Sequence, residues 1–149
     1  NQTMYTYISS NIHTYPVSTA TAGVGAVSES MKTPPGLHEI KIGGGAAPGT
    51  VFTGRRQTGQ ICEIITNETR STNDFVTTRI LWLSGLEPGV NSGFGHDTFR
   101  RCIYIHGTQE EGFIGKPVSH GCIRMKNQDI IVIYDELPSG TLVLIAEHP

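Results

Sequence analysis

Apolar and polar positions alternate with a period of two in several short stretches of the chain and fall into a helical period in only one. Met4 to Ile8 and Asn11 to Val17 look like two strands. Ser9-Ser10-Asn11 between them supplies polar turn residues, so a hairpin is expected. In Leu37-His38-Glu39-Ile40-Lys41-Ile42 the apolar residues at 40 and 42 flank a lysine, the mark of a half-buried strand, which Gly43-Gly44-Gly45 is expected to end. Phe75 to Leu83 and Thr141 to Ile145 read as further strands, and Cys102 to Ile105 as a short buried one. Thr33-Pro34-Pro35-Gly36 makes a stiff corner, because each proline fixes its own φ and Pro35 pushes Pro34 toward an extended conformation. Residues 46–74 are expected to be loop-rich, with a short strand at Ile61 to Ile65, and Gly85 to Gly95 to be a loop.

The helical stretch lies near the end. Ile130, Ile133, Tyr134 and Leu137 follow at helical spacing, with Asn127 expected as N-cap and Asp129 in the first turn, where its charge suits the helix dipole. Pro138-Ser139-Gly140 stops it, so one helix is expected over about 127–137, its apolar stripe packed in the core. Composition strengthens the β reading: threonine, isoleucine and valine make up 42 of the 149 residues, and β-branched side chains suit a pleated sheet. The length suits one domain, residues 1–149. Lysine and arginine number 11 against 13 acids, so no basic excess points to a nucleic acid. The longest apolar runs fall well short of the roughly 20 residues of a membrane span. The chain opens at Asn1 without a charged and apolar leader; an exported protein would have had its signal removed.

Chemistry concentrates in Ile105-His106-Gly107-Thr108 and Ser119-His120-Gly121-Cys122-Ile123-Arg124-Met125. A thiol becomes a strong nucleophile when an imidazole takes its proton or stabilises its thiolate. Histidines stand 16 and two residues before Cys122. A cationic imidazole there is expected to bring the thiol's ionisation below the roughly 8.5 of a free cysteine. The backbone N–H groups of Gly121 and Cys122 could meet a developing oxyanion, and Arg124 could hold a carboxylate. Two alternatives stand beside thiol catalysis. The cysteine can be a small buried hydrophobe. His96, His106, His120 and Cys122 also offer zinc-type ligands, though without the tight pairings of common zinc sites.

The run His106-Gly107-Thr108, Gly115, Ser119 to Met125 and Asn127-x-Asp129 resembles the signature of the L,D-transpeptidases of the YkuD type. Tyr15 to Thr19, the Thr33 to Gly36 corner and Pro138 to Thr141 agree with it. The resemblance runs from about Met4 to Ile145 and is least specific between Ala46 and Arg100. It implies a mostly β domain, a YkuD-like sandwich or barrel with one helix in its C-terminal half. It implies an enzyme of the bacterial cell envelope or periplasm, active in wall biogenesis without metal or cofactor. Its substrates would be peptidoglycan stem peptides and its covalent inhibitors carbapenems. Cys122 would attack the bond between the third residue of a tetrapeptide and the D-alanine after it, and the thioester would pass to an amine of a neighbouring stem, giving a 3→3 cross-link. An L,D-carboxypeptidase or a non-catalytic wall-binding module are the other readings, and some members attach a lipoprotein. By the same resemblance His106 is the base, its ring held by the Gly107 carbonyl. His120 and Ser119 support the pocket, Arg124 is its cation, and Gly121 and Cys122 give the oxyanion donors. No tyrosine matches the hydroxyl that some members place near the oxyanion; Tyr104 is the only nearby candidate.

His13, His38 and His148 carry no partner pattern and are expected at the surface or in packing; His96 is expected in a surface loop. Arg55-Arg56 and Arg100-Arg101 read as solvated charge, and Trp82 as core. Of the three cysteines, Cys62 and Cys102 form the one pairing that would spare Cys122.

Overall fold

Nine strands and, among the described residues, one α-helix make up the computed structural model, which describes residues 1–147; His148 lies outside them. Strands β1 (Thr3–Ile8) and β2 (Asn11–Pro16) form the expected hairpin. Ser9 and Ser10 both have positive φ, 48° and 68°, the mirror-image turn that matches the twist of a two-residue hairpin. The other strands are β3 (Gly36–Gly45), β4 (Thr50–Thr53), β5 (Arg56–Ile61), β6 (Val76–Gly85), β7 (Tyr104–Thr108), β8 (Ile123–Met125) and β9 (Leu142–Ile145). They form one sheet with the path β5-β4-β6-β3-β9, and β7 and β8 continue from the other edge of β6. Every pairing is antiparallel except β7 with β8. The sheets do not close, so the architecture is mostly β but not a barrel.

Strand alternation sorts the two faces of β7. Ile105 joins Ile40, Leu81, Leu83, Ile123 and Met125 in the larger core, which helix α1 (Asn127–Glu136) closes with the fully buried Ile130 and Ile133. Tyr104 belongs to a second cluster with Phe52 and Ile80, against which Trp82 and Cys122 pack. The fold therefore keeps its larger apolar core on one side of β7 and sets the smaller cluster, with Cys122 against it, on the other.

Three expectations are corrected. The Gly43 to Gly45 run does not end β3; it pairs with Leu81 to Arg79. A Cβ at Gly43 would lie 3.0 Å from the Tyr134 ring, and one at Gly45 2.9 Å from the Arg79 side chain, so the glycines make room for side chains lying across the strand. Between β3 and β6 the chain forms the β4–β5 hairpin, placing a strand at Arg56–Ile61 rather than Ile61 to Ile65. All of β5 is exposed, so no apolar alternation marks it. Asn127 is not the N-cap, which is Lys126; it is the first helical residue and its side chain is buried. The Glu111 carboxylate does the capping from outside, accepting the Asn127 N–H at 2.7 Å.

Candidate active site

The parallel pairing of β8 with β7 sets Arg124 beside His106 and Ile123 beside Ile105. Cys122, one residue before β8, then falls level with Tyr104, whose backbone N–H donates to Cys122 Sγ at 3.3 Å. The thiol in turn donates to the Cys102 carbonyl at 3.5 Å. His106 is 3% exposed, and its Nδ1–H donates to the Gly107 carbonyl at 2.6 Å, leaving Nε2 as the unprotonated nitrogen. Cys122, His106, Ser119, His120 and Arg124 line one cavity of about 100 Å³, joined there by Asp74 and Val76. The sequence-predicted residues thus converge.

The turn that carries the thiol is fixed from several directions. Ser119 Oγ donates to the Cys122 carbonyl at 2.6 Å and accepts the Gly121 N–H at 3.2 Å. Gly121 has φ 131°, and a Cβ there would meet Ile103 and the Lys32 carbonyl at 3.3 Å, so only glycine fits. Thr33, from the proline corner, donates its hydroxyl to the Gly121 carbonyl at 2.9 Å and accepts the Ala20 N–H at 3.0 Å. Two early segments of the chain thereby hold the Cys122 turn.

Burial dominates the electrostatics. It pushes the Cys122 thiol up to about 11, with Asp74 adding to the rise and the Tyr104 N–H and Arg124 opposing it. It pushes the His106 imidazole down to about 4, against the pull of the Gly107 carbonyl. The resting pair is a neutral thiol beside a neutral imidazole. Burial disfavours the charged form of each group, which runs against the expected thiolate held by a cationic imidazole.

Arg124 is 2% exposed, and its guanidinium is met from within the chain: Nη2 lies 2.6 Å from Asp74 Oδ2 and Nη1 3.2 Å from Glu110 Oε2. It lines the cavity as an internal positive charge rather than as an unpaired clamp. Glu110, also buried, accepts the Ser71 N–H at 2.6 Å and meets Arg70 at 3.4 Å, tying down the segment that presents Asp74. Asn127 forms a second buried hub. Its Oδ1 accepts hydroxyls from Thr77 (2.6 Å) and Thr78 (2.5 Å), and its Nδ2 donates to the Thr108 carbonyl and to Glu111, both at 2.7 Å. A Cβ on Gly107 would lie 2.6 Å from that Oδ1, so Asn127 packs against the residue whose carbonyl orients His106.

Asp74, Glu110 and the Tyr104 N–H escaped the sequence reading. Asp74 lies in the least specific part of the resemblance, and a backbone donor leaves no trace in residue identity. Arg101, read as solvated, donates to the Gly25, Ala26 and Lys32 carbonyls and anchors the loop before Thr33. His38 is fully buried between the Gly36 carbonyl and the Thr98 hydroxyl, a packing role. Trp82 stacks on Phe99 at 4.0 Å under Arg55. The three cysteines are free thiols, so the Cys62–Cys102 bridge does not form. Among the described residues no three His, Cys, Asp or Glu side chains converge as metal ligands do, and no helix is long and apolar enough to cross a membrane.

A cysteine and a backbone-tethered histidine line one cavity beside this parallel strand pair. The chain belongs to the YkuD family of L,D-transpeptidase catalytic domains, whose family model matches residues 1–145. It is 49% identical over 47 residues to a candidate L,D-transpeptidase, YqjB, of Bacillus subtilis, a match spanning 32% of this chain and 27% of that protein. It is 43% identical over 49 residues to a candidate L,D-transpeptidase, YbiS, of Escherichia coli K12, spanning 33% of this chain and 16% of the relative. The matched stretches thus cover a minor part of these relatives' length. The fold is that of the L,D-transpeptidase from Mycobacterium smegmatis, with TM-score 0.52 and 17% identity over 97% of this chain and 54% of that one. The L,D-transpeptidase LdtMt1, solved in complex with imipenem, aligns with TM-score 0.55 and 15% identity over the same shares.

Proposed function

We propose that this chain, acting as one catalytic unit in the bacterial cell envelope, is a peptidoglycan L,D-transpeptidase working through Cys122. The thiol attacks the carbonyl of the stem peptide's third residue, at its bond to the D-alanine that follows, while His106 Nε2 takes the thiol proton. The same ring passes the proton to the departing D-alanine amine as the C–N bond breaks. The thioester left on Cys122 is then transferred to an amine of a neighbouring stem, giving a 3→3 cross-link. Because both groups rest neutral, the proton moves as the carbonyl is attacked and not before. Arg124 lowers the cost of the thiolate character that develops, and the Tyr104 N–H, already on Sγ, does the same. The Gly121 N–H is engaged by Ser119, which makes the Cys122 N–H the leading oxyanion donor.

The observation that carries this reading is His106, fixed by its own strand's carbonyl with Nε2 left basic, lining the same cavity as Cys122. The test is incubation with disaccharide-tetrapeptide followed by mass spectrometry. A cross-linked dimer is expected. Tripeptide alone would mean that water takes the acyl group, and no product at all would overturn the enzymatic reading in favour of a wall-binding module. A carbapenem such as imipenem is expected to add its mass to Cys122, because its strained carbonyl offers the thiol the same electrophile.

A further inference from the structure

Two cavities meet at this site, and one residue belongs to both walls. The cavity of about 100 Å³ holds Cys122 and His106. A wider groove of about 330 Å³ lies beside it, lined by Ser28, Glu29, Met31, Arg100, Arg101 and Ile103. Among the described residues His120 alone lines both. Its side chain is 68% exposed, whereas His106 is almost wholly buried. The two histidines are also oriented by different partners. The His106 Nδ1–H goes to a backbone carbonyl. The His120 Nδ1–H goes to the Asp74 carboxylate at 3.0 Å, and that same carboxylate oxygen is held by the Arg124 guanidinium at 2.6 Å. Asp74 is 40% exposed at the end of a loop that Glu110 pins through Ser71 and Arg70. A carboxylate fixed at its back by a buried arginine, bonded to the Nδ1–H of an exposed imidazole, leaves Nε2 as that ring's basic nitrogen.

We propose that Asp74 is a positioning residue that makes His120 the base of the second half-reaction, the transfer of the acyl group to an amine, while His106 serves the first. The inference rests on the L,D-transpeptidase reading. Once D-alanine has left, the acceptor enters from solvent along the groove and meets the exposed ring. The amine nitrogen attacks the thioester carbonyl carbon and a C–N bond forms. The amine proton passes to His120 Nε2. The C–Sγ bond breaks, and its electron pair returns to Cys122 as thiolate. Around the ring stand Asp74 on the cavity side and Glu29, Arg100 and Arg101 on the groove side, with Arg124 and Glu110 behind Asp74. Asp74 therefore does opposite things in the two halves. Its charge opposes the forming thiolate in acylation, and it holds the His120 ring through Nδ1 in transfer.

The opposition gives the test. Acylation is timed with imipenem by intact-protein mass spectrometry. Transfer is timed as the decay of the acyl-enzyme formed from disaccharide-tetrapeptide, with an amine-bearing disaccharide-tripeptide as acceptor. Asp74→Asn is expected to acylate faster than the wild type and to transfer at least about tenfold more slowly, toward the roughly 10²- to 10⁴-fold that losing a general base costs. Asp74→Glu should recover part of the transfer rate. His120→Gln should slow transfer at least as much, and adding Asp74→Asn to it should cost nothing more, since the pair acts as a unit. Should Asp74→Asn not fold, His120→Gln alone decides between the two half-reactions. Equal slowing of both halves by these variants would make Asp74 and His120 structural, and unchanged transfer would remove them from the reaction; either result overturns the inference. A wild-type protein that forms no peptide acyl-enzyme would overturn the transpeptidase reading, and this inference with it. A wild type that turns over while the variants transfer normally would overturn this inference alone.

Discussion

Acid should unfold this protein through His106, by an amount that can be worked out. The imidazole has an ordinary value of 6.5 and burial brings it to about 4 in the fold. Above pH 6.5 the ring is neutral in both the folded and unfolded chains and adds nothing to the pH dependence. Between 6.5 and 4 the unfolded chain binds a proton that the folded chain refuses, so stability falls as pH falls. At about 1.4 kcal/mol per pH unit, the loss from this ring reaches about 3 kcal/mol by about pH 4 and then levels off. Other groups titrate over the same window. His38 is one of them, also lowered by burial, whereas Asp97, lowered against the effect of its burial by the N–H groups that its carboxylate accepts, acts below that window. The comparison is therefore with His106→Gln. Urea unfolding at half-unit steps from about pH 7.5 to about pH 4 should show the wild type losing about 3 kcal/mol more than the variant. Identical slopes for the two proteins, or a His106 ring that titrates near its ordinary 6.5 when followed by NMR, would refute the neutral-pair account. Alkylation of Cys122 by iodoacetamide gives the matching observation at the other end: its rate should still be climbing above about pH 9, where a free thiol has begun to level off.

Cys122→Ala should lose all imipenem labelling and turnover while its stability stays within about 1 kcal/mol of the wild type, as measured by thermal unfolding. Thr33→Val removes the donor to the Gly121 carbonyl and the acceptor of the Ala20 N–H. It should cost about 2 kcal/mol in urea unfolding and slow labelling of Cys122 as the turn loosens. Asn127→Ala leaves two threonine hydroxyls and the Glu111 carboxylate short of a partner. A loss of about 3 kcal/mol is expected, together with slower acylation, because Asn127 packs against Gly107, whose carbonyl orients His106. Titration of the denatured, unreduced protein with a thiol reagent should find three free thiols.

What the sequence determined by itself is whatever depends on neighbours along the chain. The hairpin, the half-buried strand through Ile40, the strand into His106 and the helix carrying Ile130 and Ile133 all follow from local periodicity, and each is present. The cysteine and its two histidines were legible through the resemblance of His106-Gly107-Thr108 and Ser119 to Met125 to a family signature, and the glycine's φ of 131° is why that position of the signature is a glycine. Where the signal was long-range, the sequence was silent. A run of three glycines looks like a strand's end until Tyr134 and Arg79 are seen lying across it. The β4–β5 hairpin has an exposed strand and so no apolar alternation to betray it. Asn127 satisfied every local rule for an N-cap, yet tertiary packing gave the cap to Glu111 and made the asparagine a buried hub. Only the folded chain brings Asp74 and Glu110 onto Arg124, across separations of dozens of residues in one case and 14 in the other. That contact turns an arginine expected to be free into one already paired within the chain. The ionisation of Cys122 and His106 was decided there too, because desolvation is a property of the surroundings and not of the two residues.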